Sequence, residues 1–116
     1  MEKNIEISLL FYFYKPLLTA SQQQAVELYY KDDITLAEIA QQMDITRQGV
    51  RDLVKRSETQ LFKFEDQLGL FKRFNIVENG LEQICLKALG IADNTSDNEI
   101  KSMAMEISSL AESLKE

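Results

Sequence analysis

The sequence predicts an all-α protein. Apolar residues recur at intervals of three and four along most of its 116 residues, which is the spacing of one helix face. Ser or Thr followed three positions later by Gln or Glu marks several places where such a pattern begins, as in a capping box. No stretch of useful length alternates as a strand would. We therefore expect a single all-α domain over residues 1–116. Its predicted parts are a helix-turn-helix core at about 19–60, a long helix at about 46–72, and two C-terminal helices at about 74–89 and 97–114.

The first predicted helix covers about residues 2–14 and is apolar on more than one face. A helix of that kind is normally buried between neighbours, so we expect it in a core or an interface. Pro16 should end this helix or bend it, because proline lacks the amide that continues the hydrogen-bond ladder. Thr19 with Gln22 predicts a capping box, and the helix that follows should run to about Lys31.

Two helix starts lie close together in the next part of the chain. Thr35 is a natural N-cap, and Glu38 three residues later predicts a capping box. Thr46 is the next cap residue. Only Met43-Asp44-Ile45 are left to turn the chain between the two helices, which is the length of a helix-turn-helix connection.

The second of these helices carries most of the predicted function. In a helix-turn-helix its first residues face base edges in the DNA major groove. Arg pairs bidentately with guanine and Gln with adenine, whereas Lys suits phosphate. We predict that Arg47, Gln48 and Arg51 read bases and that Lys55 and Arg56 hold phosphate. The open alternative is a tight helical hairpin in an all-α bundle, with solvated charges outside.

A stripe that is apolar except at Ser57 then continues at spacings of 4, 3, 4, 3, 4 and 3: Val50, Val54, Ser57, Leu61, Phe64, Leu68 and Phe71. This pattern predicts one helix of twenty or more residues from Thr46, with a seam that must be buried. Burial can come from a coiled-coil-like homodimer or from the N-terminal and C-terminal helices of the same chain. We favour the dimer, which would read two half-sites about one helical turn apart. The seam residues assigned to dimer or core are Val54, Leu61, Phe64, Leu68 and Phe71.

The C-terminal part predicts two further helices. Gly80 should weaken the centre of the first, and Gly90 is well placed to end it. Ser96 with Glu99 predicts a capping box for the second. Its apolar stripe should pack on the body of the domain, on a second subunit or on a partner helix. That stripe consists of Ile100, Met103, Ile107, Leu110 and Leu114.

The charge distribution bears on the partner. A net charge of −6 argues against binding phosphate backbones by charge alone. Between Arg47 and Arg73 there are seven Lys or Arg against four Asp or Glu, whereas from Phe74 onward three Lys accompany eight acids. A basic helix on an acidic protein fits a DNA reader with a small footprint. It fits equally well a helix that docks on an acidic partner.

No catalytic, metal or cofactor site is predicted, and we do not expect an enzyme. The chain has no histidine and a single cysteine, Cys85, which excludes a Cys/His zinc site and a disulfide within one chain. Asp32 and Asp33 have no third carboxylate beside them and are explained by loop solvation. The apolar run at residues 8–14 is too short to span a bilayer. Without a signal-peptide pattern, we expect a cytoplasmic protein and no membrane insertion.

Short motifs in the first two-thirds of the chain resemble a known family. They are Leu17-Leu18-Thr19, Glu27-Leu28-Tyr29-Tyr30, Asp32-Asp33, Leu36-Ala37-Glu38-Ile39-Ala40, Arg47-Gln48, Val50, Asp52, Lys55-Arg56 and Glu58. With them the chain closely resembles the YlxM family of small bacterial proteins. The Glu38-Ile39-Ala40 and Val50 positions also resemble the DNA-binding region 4 of sigma factors.

The YlxM resemblance implies a helix-turn-helix fold, no enzymatic activity and a regulatory role in the signal recognition particle pathway. Components of that particle, RNA or protein, are therefore a second class of partner for the basic helix. One departure from the family is Gly49, where we expect a helix former such as Ala. Because glycine within a helix costs roughly 1 kcal/mol relative to Ala, the recognition helix should begin loosely.

Overall fold

The computed structural model describes residues 2–31 and 33–116. In these residues there are six α-helices, one short 3₁₀ turn and no strand, which confirms the predicted all-α class. No helix in the described part combines the length and the apolar character that a bilayer crossing requires. The helices are α1 (Lys3–Tyr14), α2 (Ala20–Tyr29), α3 (Leu36–Met43), α4 (Arg47–Leu68), α5 (Leu70–Asn94) and α6 (Asn98–Ser113).

Contacts divide the chain into two compact units. The first ends at Phe71 and contains α1 to α4, and the second, Lys72–Glu116, contains α6 and nearly all of α5. The sequence suggested one domain without an internal boundary. The division falls within a continuous helix, so no Gly, Pro or Ser linker marks it in the sequence.

The helix α1 packs on α4 through an apolar cluster, as its hydrophobicity on several faces predicted. The cluster consists of Ile7, Leu10, Tyr14, Leu18 and Leu61. The α-helix ends at Tyr14, and Pro16 lies in the 3₁₀ turn Lys15–Leu17. The predicted end at Pro16 is therefore confirmed, because proline cannot donate to the preceding helical turn.

A second apolar cluster joins α2, α3 and the start of α4, the three helices of the predicted helix-turn-helix core. It consists of Ala25, Leu28, Ile39, Ala40, Val50 and Val54. The capping box before α2 is confirmed: Thr19 Oγ1 accepts from the Gln22 amide at 3.2 Å, and the Thr19 amide donates to Gln22 Oε1 at 2.9 Å. The helix ends at Tyr29, two residues before the predicted Lys31.

Only one half of the predicted capping box forms before α3. Thr35 Oγ1 accepts from the Glu38 amide at 3.1 Å, as expected. The Glu38 carboxylate accepts from the Thr35 hydroxyl instead of from the Thr35 amide. Asp32, which the sequence predicts to be a solvated loop residue, lies outside the described residues.

The seam of α4 is covered over most of its length by α1 and α2 of the same chain. Its buried part is Val50, Val54, Ser57 and Leu61. Phe64 and Phe71 are partly buried against the α1 cluster, whereas Leu68 is 56% exposed and leaves the seam. This is the second of the two arrangements that the heptad pattern left open, with N-terminal helices as the cover.

The long helix has 22 residues, which agrees with the predicted length of twenty or more. It ends at Leu68, however, rather than near residue 72. Gly69 adopts a left-handed conformation with φ of 63°, which only glycine adopts at low cost. A new helix then begins at Leu70. The seam predicted through Phe71 therefore crosses a helix break.

A hydrogen-bond network that includes Tyr14 of α1 stabilises the helix break at Gly69. The Tyr14 hydroxyl donates to Glu65 Oε1 at 2.6 Å and accepts from the Leu70 amide at 3.0 Å. The same carboxylate oxygen accepts from the Phe71 amide at 3.0 Å. Burial and the Glu65 hydrogen bond raise the pKa of Tyr14, so its phenol stays neutral. Two amides at the start of α5 thus find partners where no cap residue was predicted.

Two predictions for the C-terminal helices were wrong in detail. The helix α5 does not end at Gly90 but continues to Asn94, because Ala88 and Ala92 on either side are buried in packing that outweighs the cost of glycine. The N-cap of α6 is Asp97 and not Ser96: Asp97 Oδ1 accepts from the amides of Glu99 and Ile100 at 2.9 and 3.2 Å. A carboxylate there also meets the positive end of the helix dipole.

Burial of the seam within one chain predicts the effect of truncating Leu61. Leu61 is fully buried, so Leu61→Ala should lower the free energy of unfolding by about 2–5 kcal/mol through a core cavity. Leu68→Ala is the matched control on the same helix, and we expect a loss below about 1 kcal/mol because that side chain is 56% exposed. Urea denaturation at two protein concentrations measures both. Equal losses would contradict the assignment of Leu61 to the core.

The network at Gly69 predicts a cost for removing one hydroxyl. Tyr14→Phe leaves the Leu70 amide without its partner and should lower the free energy of unfolding by about 1–3 kcal/mol. Tyr12→Phe is the control, since Tyr12 is 73% exposed and its change should stay within about 0.5 kcal/mol. Thermal and urea unfolding compare the two variants, and a neutral Tyr14→Phe would remove the network from the account of this turn.

Candidate nucleic-acid interface

The turn between α3 and α4 has the geometry of a helix-turn-helix connection. Asp44 ends α3 in the left-handed region with φ of 56°, which Asp tolerates better than most residues. The Ile45 amide donates to Ala40 O at 3.0 Å. Thr46 is the cap of α4, as predicted, and its Oγ1 accepts from the Gly49 amide at 2.9 Å. The turn residues are Asp44, Ile45 and Thr46, one position later than the sequence suggested.

Gly49 stands at the third position of α4, where its amide meets the cap. A Cβ at this position would lie 3.1 Å from Thr46 Oγ1 and 3.7 Å from Ile45 Cβ. The first distance is tighter than ordinary van der Waals contact, so the hydroxyl would have to shift by a few tenths of an ångström. Gln22 and Glu38 carry a Cβ at the same position after the Thr19 and Thr35 caps. A helix former such as the expected Ala is therefore compatible with a cap of this kind.

Four of the five predicted contact residues share one exposed side of α4. They are Arg47, Gln48, Arg51 and Lys55, and we call this set the reading face. At about 100° per residue, the four positions fall within an arc of roughly 100°. Arg56 is exposed as well but lies roughly 100° from Lys55, on another side of the helix.

Arg56 belongs instead to a surface groove of about 600 Å³. The groove is lined by α4 residues that include Leu53, Gln60 and Lys63, together with Thr19 and Gln22 from the start of α2. The helical period alone separates Arg56 from the reading face. The prediction that treated Lys55 and Arg56 as an equivalent pair did not take that period into account.

Asp52 adds a feature to the reading face that the sequence analysis did not assign. Gln48 Nε2 donates to Asp52 Oδ1 at 2.9 Å, which holds the amide against the helix. The spacing of four residues on a helix is the signal that could have revealed this pair. The carboxylate repels a nearby phosphate but can accept from the amino group of cytosine.

Packing behind the reading face fixes the position of α4. Ile39 and Ala40 of α3 are buried against Val50, so the first turn of α4 rests on the preceding helix. One turn beyond the reading face, Glu58 accepts from the Tyr30 hydroxyl at 2.5 Å and pairs with Lys3 Nζ at 3.3 Å. Burial first, and then the Glu58 hydrogen bond, raises the pKa of Tyr30. These contacts tie α4 to α1 and α2.

The seam residues proposed for a dimer or core are placed differently from the contact residues. Val54 and Leu61 are fully or nearly fully buried, Phe64 and Phe71 are half-buried, and Leu68 is exposed. All of the buried members face helices of their own chain. Over residues 2–31 and 33–116, no three acidic or cysteine side chains come together in a way that could hold a metal ion.

The cap of α4 can be tested directly. Thr46→Ala removes the acceptor of the Gly49 amide and should lower the free energy of unfolding by about 1 kcal/mol. The control is Thr59→Ala on the same helix, whose exposed hydroxyl donates to Lys55 O within the helix and should matter little. Chemical denaturation and amide exchange at residues 47–50 follow the effect. Equal behaviour of the two variants would show that Thr46 does not cap the helix.

Comparison with known proteins agrees with this geometry. A family model described as "Putative helix-turn-helix protein, YlxM / p13 like" matches residues 1–103. A UPF0122 protein of Thermoanaerobacter sp. is 41% identical over 108 residues, which cover 93% of this chain and 92% of the relative.

Two further relatives match to a similar degree. A UPF0122 protein of Listeria monocytogenes is 39% identical over 100 residues, covering 86% of this chain and 89% of the relative. A UPF0122 protein of Bacillus velezensis is 46% identical over 74 residues, which cover 64% of this chain and 67% of the relative. The family is described as a helix-turn-helix family. The chain therefore belongs to the UPF0122 family of YlxM-like helix-turn-helix proteins.

Proposed function

We propose that this protein is a DNA-binding regulatory protein that inserts the start of α4 into the major groove, and that it is not an enzyme. The observation that carries the proposal is the reading face: four long polar side chains, three of them cationic, on one exposed arc directly after the capped turn. The second helix of a helix-turn-helix presents its N-terminal residues to base edges in the same way.

The position of each side chain supports a separate role. Arg47, Gln48 and Arg51 stand on the first turns of α4 and are proposed to contact bases. Lys55 stands one turn further along the same arc, where it would meet a phosphate at the groove edge. Arg56 points away from that arc, so we propose that it reaches the backbone of the flanking strand rather than the phosphate that Lys55 holds.

The acidity of the protein shapes the expected binding. The protein has a net charge of −6, and only a few of its cations would lie near the DNA major groove. Its electrostatic footprint on DNA is therefore small. Each neutralised phosphate contributes about 0.9 to the slope of log affinity against log salt concentration. We therefore expect a shallow salt dependence, with base contacts supplying most of the preference. A homodimer would add affinity by reading two half-sites about one turn apart.

A second candidate uses the same reading face on an RNA or protein component of the signal recognition particle. The Asp52 carboxylate supports the protein component, because an acid beside Gln48 lowers the attraction of this surface to any phosphate backbone, that of RNA included. The signal recognition particle is named here because the chain resembles YlxM proteins, a resemblance that implies a role in that pathway.

Selection from random duplex DNA, followed by affinity measurements on the selected site, tests the proposal. Arg51→Ala should weaken binding to that site by about 1–3 kcal/mol and relax the preference at one position. Lys55→Ala should weaken all duplexes alike and lower the salt slope by about 1. The matched control is Lys63→Ala. Lys63 is an exposed lysine that lines the surface groove of the protein, and its substitution should change neither the base preference nor the salt slope.

The outcomes separate the two candidates. Failure of the folded wild-type protein to select any duplex would overturn DNA binding. If the protein instead binds signal recognition particle RNA or protein, and Arg51→Ala reduces that binding while Lys63→Ala does not, the second candidate replaces the first.

A further inference from the structure

The second unit is a helical hairpin whose two helices meet through small side chains. Cys85, Ala88 and Ala92 of α5 are buried, and so are Ala104 and Ala111 of α6. The Cys85 thiol donates to Ser108 O at 3.4 Å, so these two residues stand at the same level along the hairpin. Small residues at the contact let the helices approach closely, but they bury little apolar area.

The large apolar residues of α5 lie beside this contact rather than in it. Val77, Ile84 and Ile91 follow one another at intervals of seven residues and are 41%, 46% and 51% exposed. Two heptads at constant spacing make a straight stripe along the helix, as in a coiled-coil seam.

The helix α6 carries a matching stripe with spacings of 3, 4, 3 and 4. Its members are 46–66% exposed: Ile100, Met103, Ile107, Leu110 and Leu114. The stripe that the sequence predicted on this helix is thus present and uncovered.

The two stripes lie on the same side of the hairpin. On α5 the exposed Ile84 directly precedes the buried Cys85, and on α6 the exposed Leu110 directly precedes the buried Ala111. The two helices run antiparallel, and their buried residues face each other. In this arrangement the residue just before a buried one points to the same side of the hairpin on both helices. We call this side, formed by the two stripes, the apolar face.

The other side of the hairpin is more polar. Lys115 pairs there with Glu82 and, at 3.0 Å, with Glu112. Leu86, Leu89 and Met105 are also exposed on this side, and the two leucines lie beside Glu82 and Glu112, but the three do not form a heptad stripe. The hairpin therefore has one side with the pattern of an interface and one side with the pattern of a solvent surface.

We propose that the apolar face binds a second copy of this chain, so that two hairpins form a four-helix bundle about a two-fold axis. Its eight exposed side chains leave roughly 300–500 Å² of apolar surface. That approaches the apolar share, about 500 Å², of the surface that each partner contributes to a standard homodimer interface. A patch of this size matches the largest apolar patch on a typical monomeric protein, and such patches are often functional.

Charges at the rims of the apolar face give the second copy an orientation. Lys87 lies on the outer edge of the α5 stripe and Glu106 on the outer edge of the α6 stripe. Lys87 follows Cys85 by two residues and Glu106 precedes Ser108 by two, so both stand at the same level of the antiparallel hairpin. In the described part of the chain, neither one forms an ion pair within its own copy.

A two-fold axis parallel to the helices uses both charges. It places α5 beside α6 of the partner subunit and keeps the levels unchanged, so Lys87 meets Glu106 of the partner subunit twice per dimer. An isologous interface repeats each contact in this way. The inference deepens the two-fold DNA-binding mode proposed above, but it concerns association of the protein alone.

The test measures association without DNA, using the full chain in sedimentation equilibrium from about 1 to 100 µM. We expect a wild-type dimer. Leu110→Glu puts a charge into the face of each copy and should weaken association by more than about 100-fold. Met105→Glu is the matched control on the more polar side of the same helix and should leave the dimer intact. Circular dichroism confirms that both variants keep their helices.

The rim charges provide a second, gentler test. Lys87→Glu should weaken association by roughly five- to thirty-fold, since it replaces two attractive pairs with two repulsive ones. The double variant K87E/E106K should recover most of that loss, because the charges are exchanged but still opposite.

Several results would overturn the proposal. A wild-type protein that stays monomeric at the highest concentration means that its own chain or another partner covers the face. A dimer unaffected by Leu110→Glu means that the interface lies elsewhere, and absence of rescue in the double variant removes the parallel two-fold arrangement. None of these results depends on whether the protein binds DNA.

Discussion

The first unit depends on the burial of one side of α4. A helix of 22 residues that begins at a helix-turn-helix connection would be unstable alone, since helical stability in proteins comes mainly from packing. Here the side from Val50 to Leu61 rests on α1, α2 and α3. With that side fixed, the exposed arc of Arg47, Gln48, Arg51 and Lys55 is fixed as well. Packing and proposed function are thus two sides of one helix.

Sequence reasoning succeeded where the cause is local. The caps at Thr19, Thr35 and Thr46 and the helix end before Pro16 all follow from the chemistry of a few adjacent residues. The family resemblance reached the same fold independently. Four of the five predicted contact residues lie together on α4, and the helical period separates Arg56 from Lys55. That these residues contact DNA stays a prediction.

Sequence reasoning failed where the cause is distant in the chain or depends on competition. Nothing near Tyr14 indicates that its hydroxyl pairs with Glu65 and with the Leu70 amide. At Gly90 the intrinsic preference for a helix end is weaker than packing of the flanking alanines.

The Tyr14 network also sets an order of events during synthesis of the chain. Its partners follow 51 and 56 residues later, so α1 leaves the ribosome before any of them has been made. At about 5–20 residues per second, the wait lasts roughly 3 to 11 seconds. Throughout that interval the apolar side of α1, with Ile7 and Leu10, has no α4 to cover it. The apolar side of α1 is therefore open to chaperones and to premature contacts during that interval.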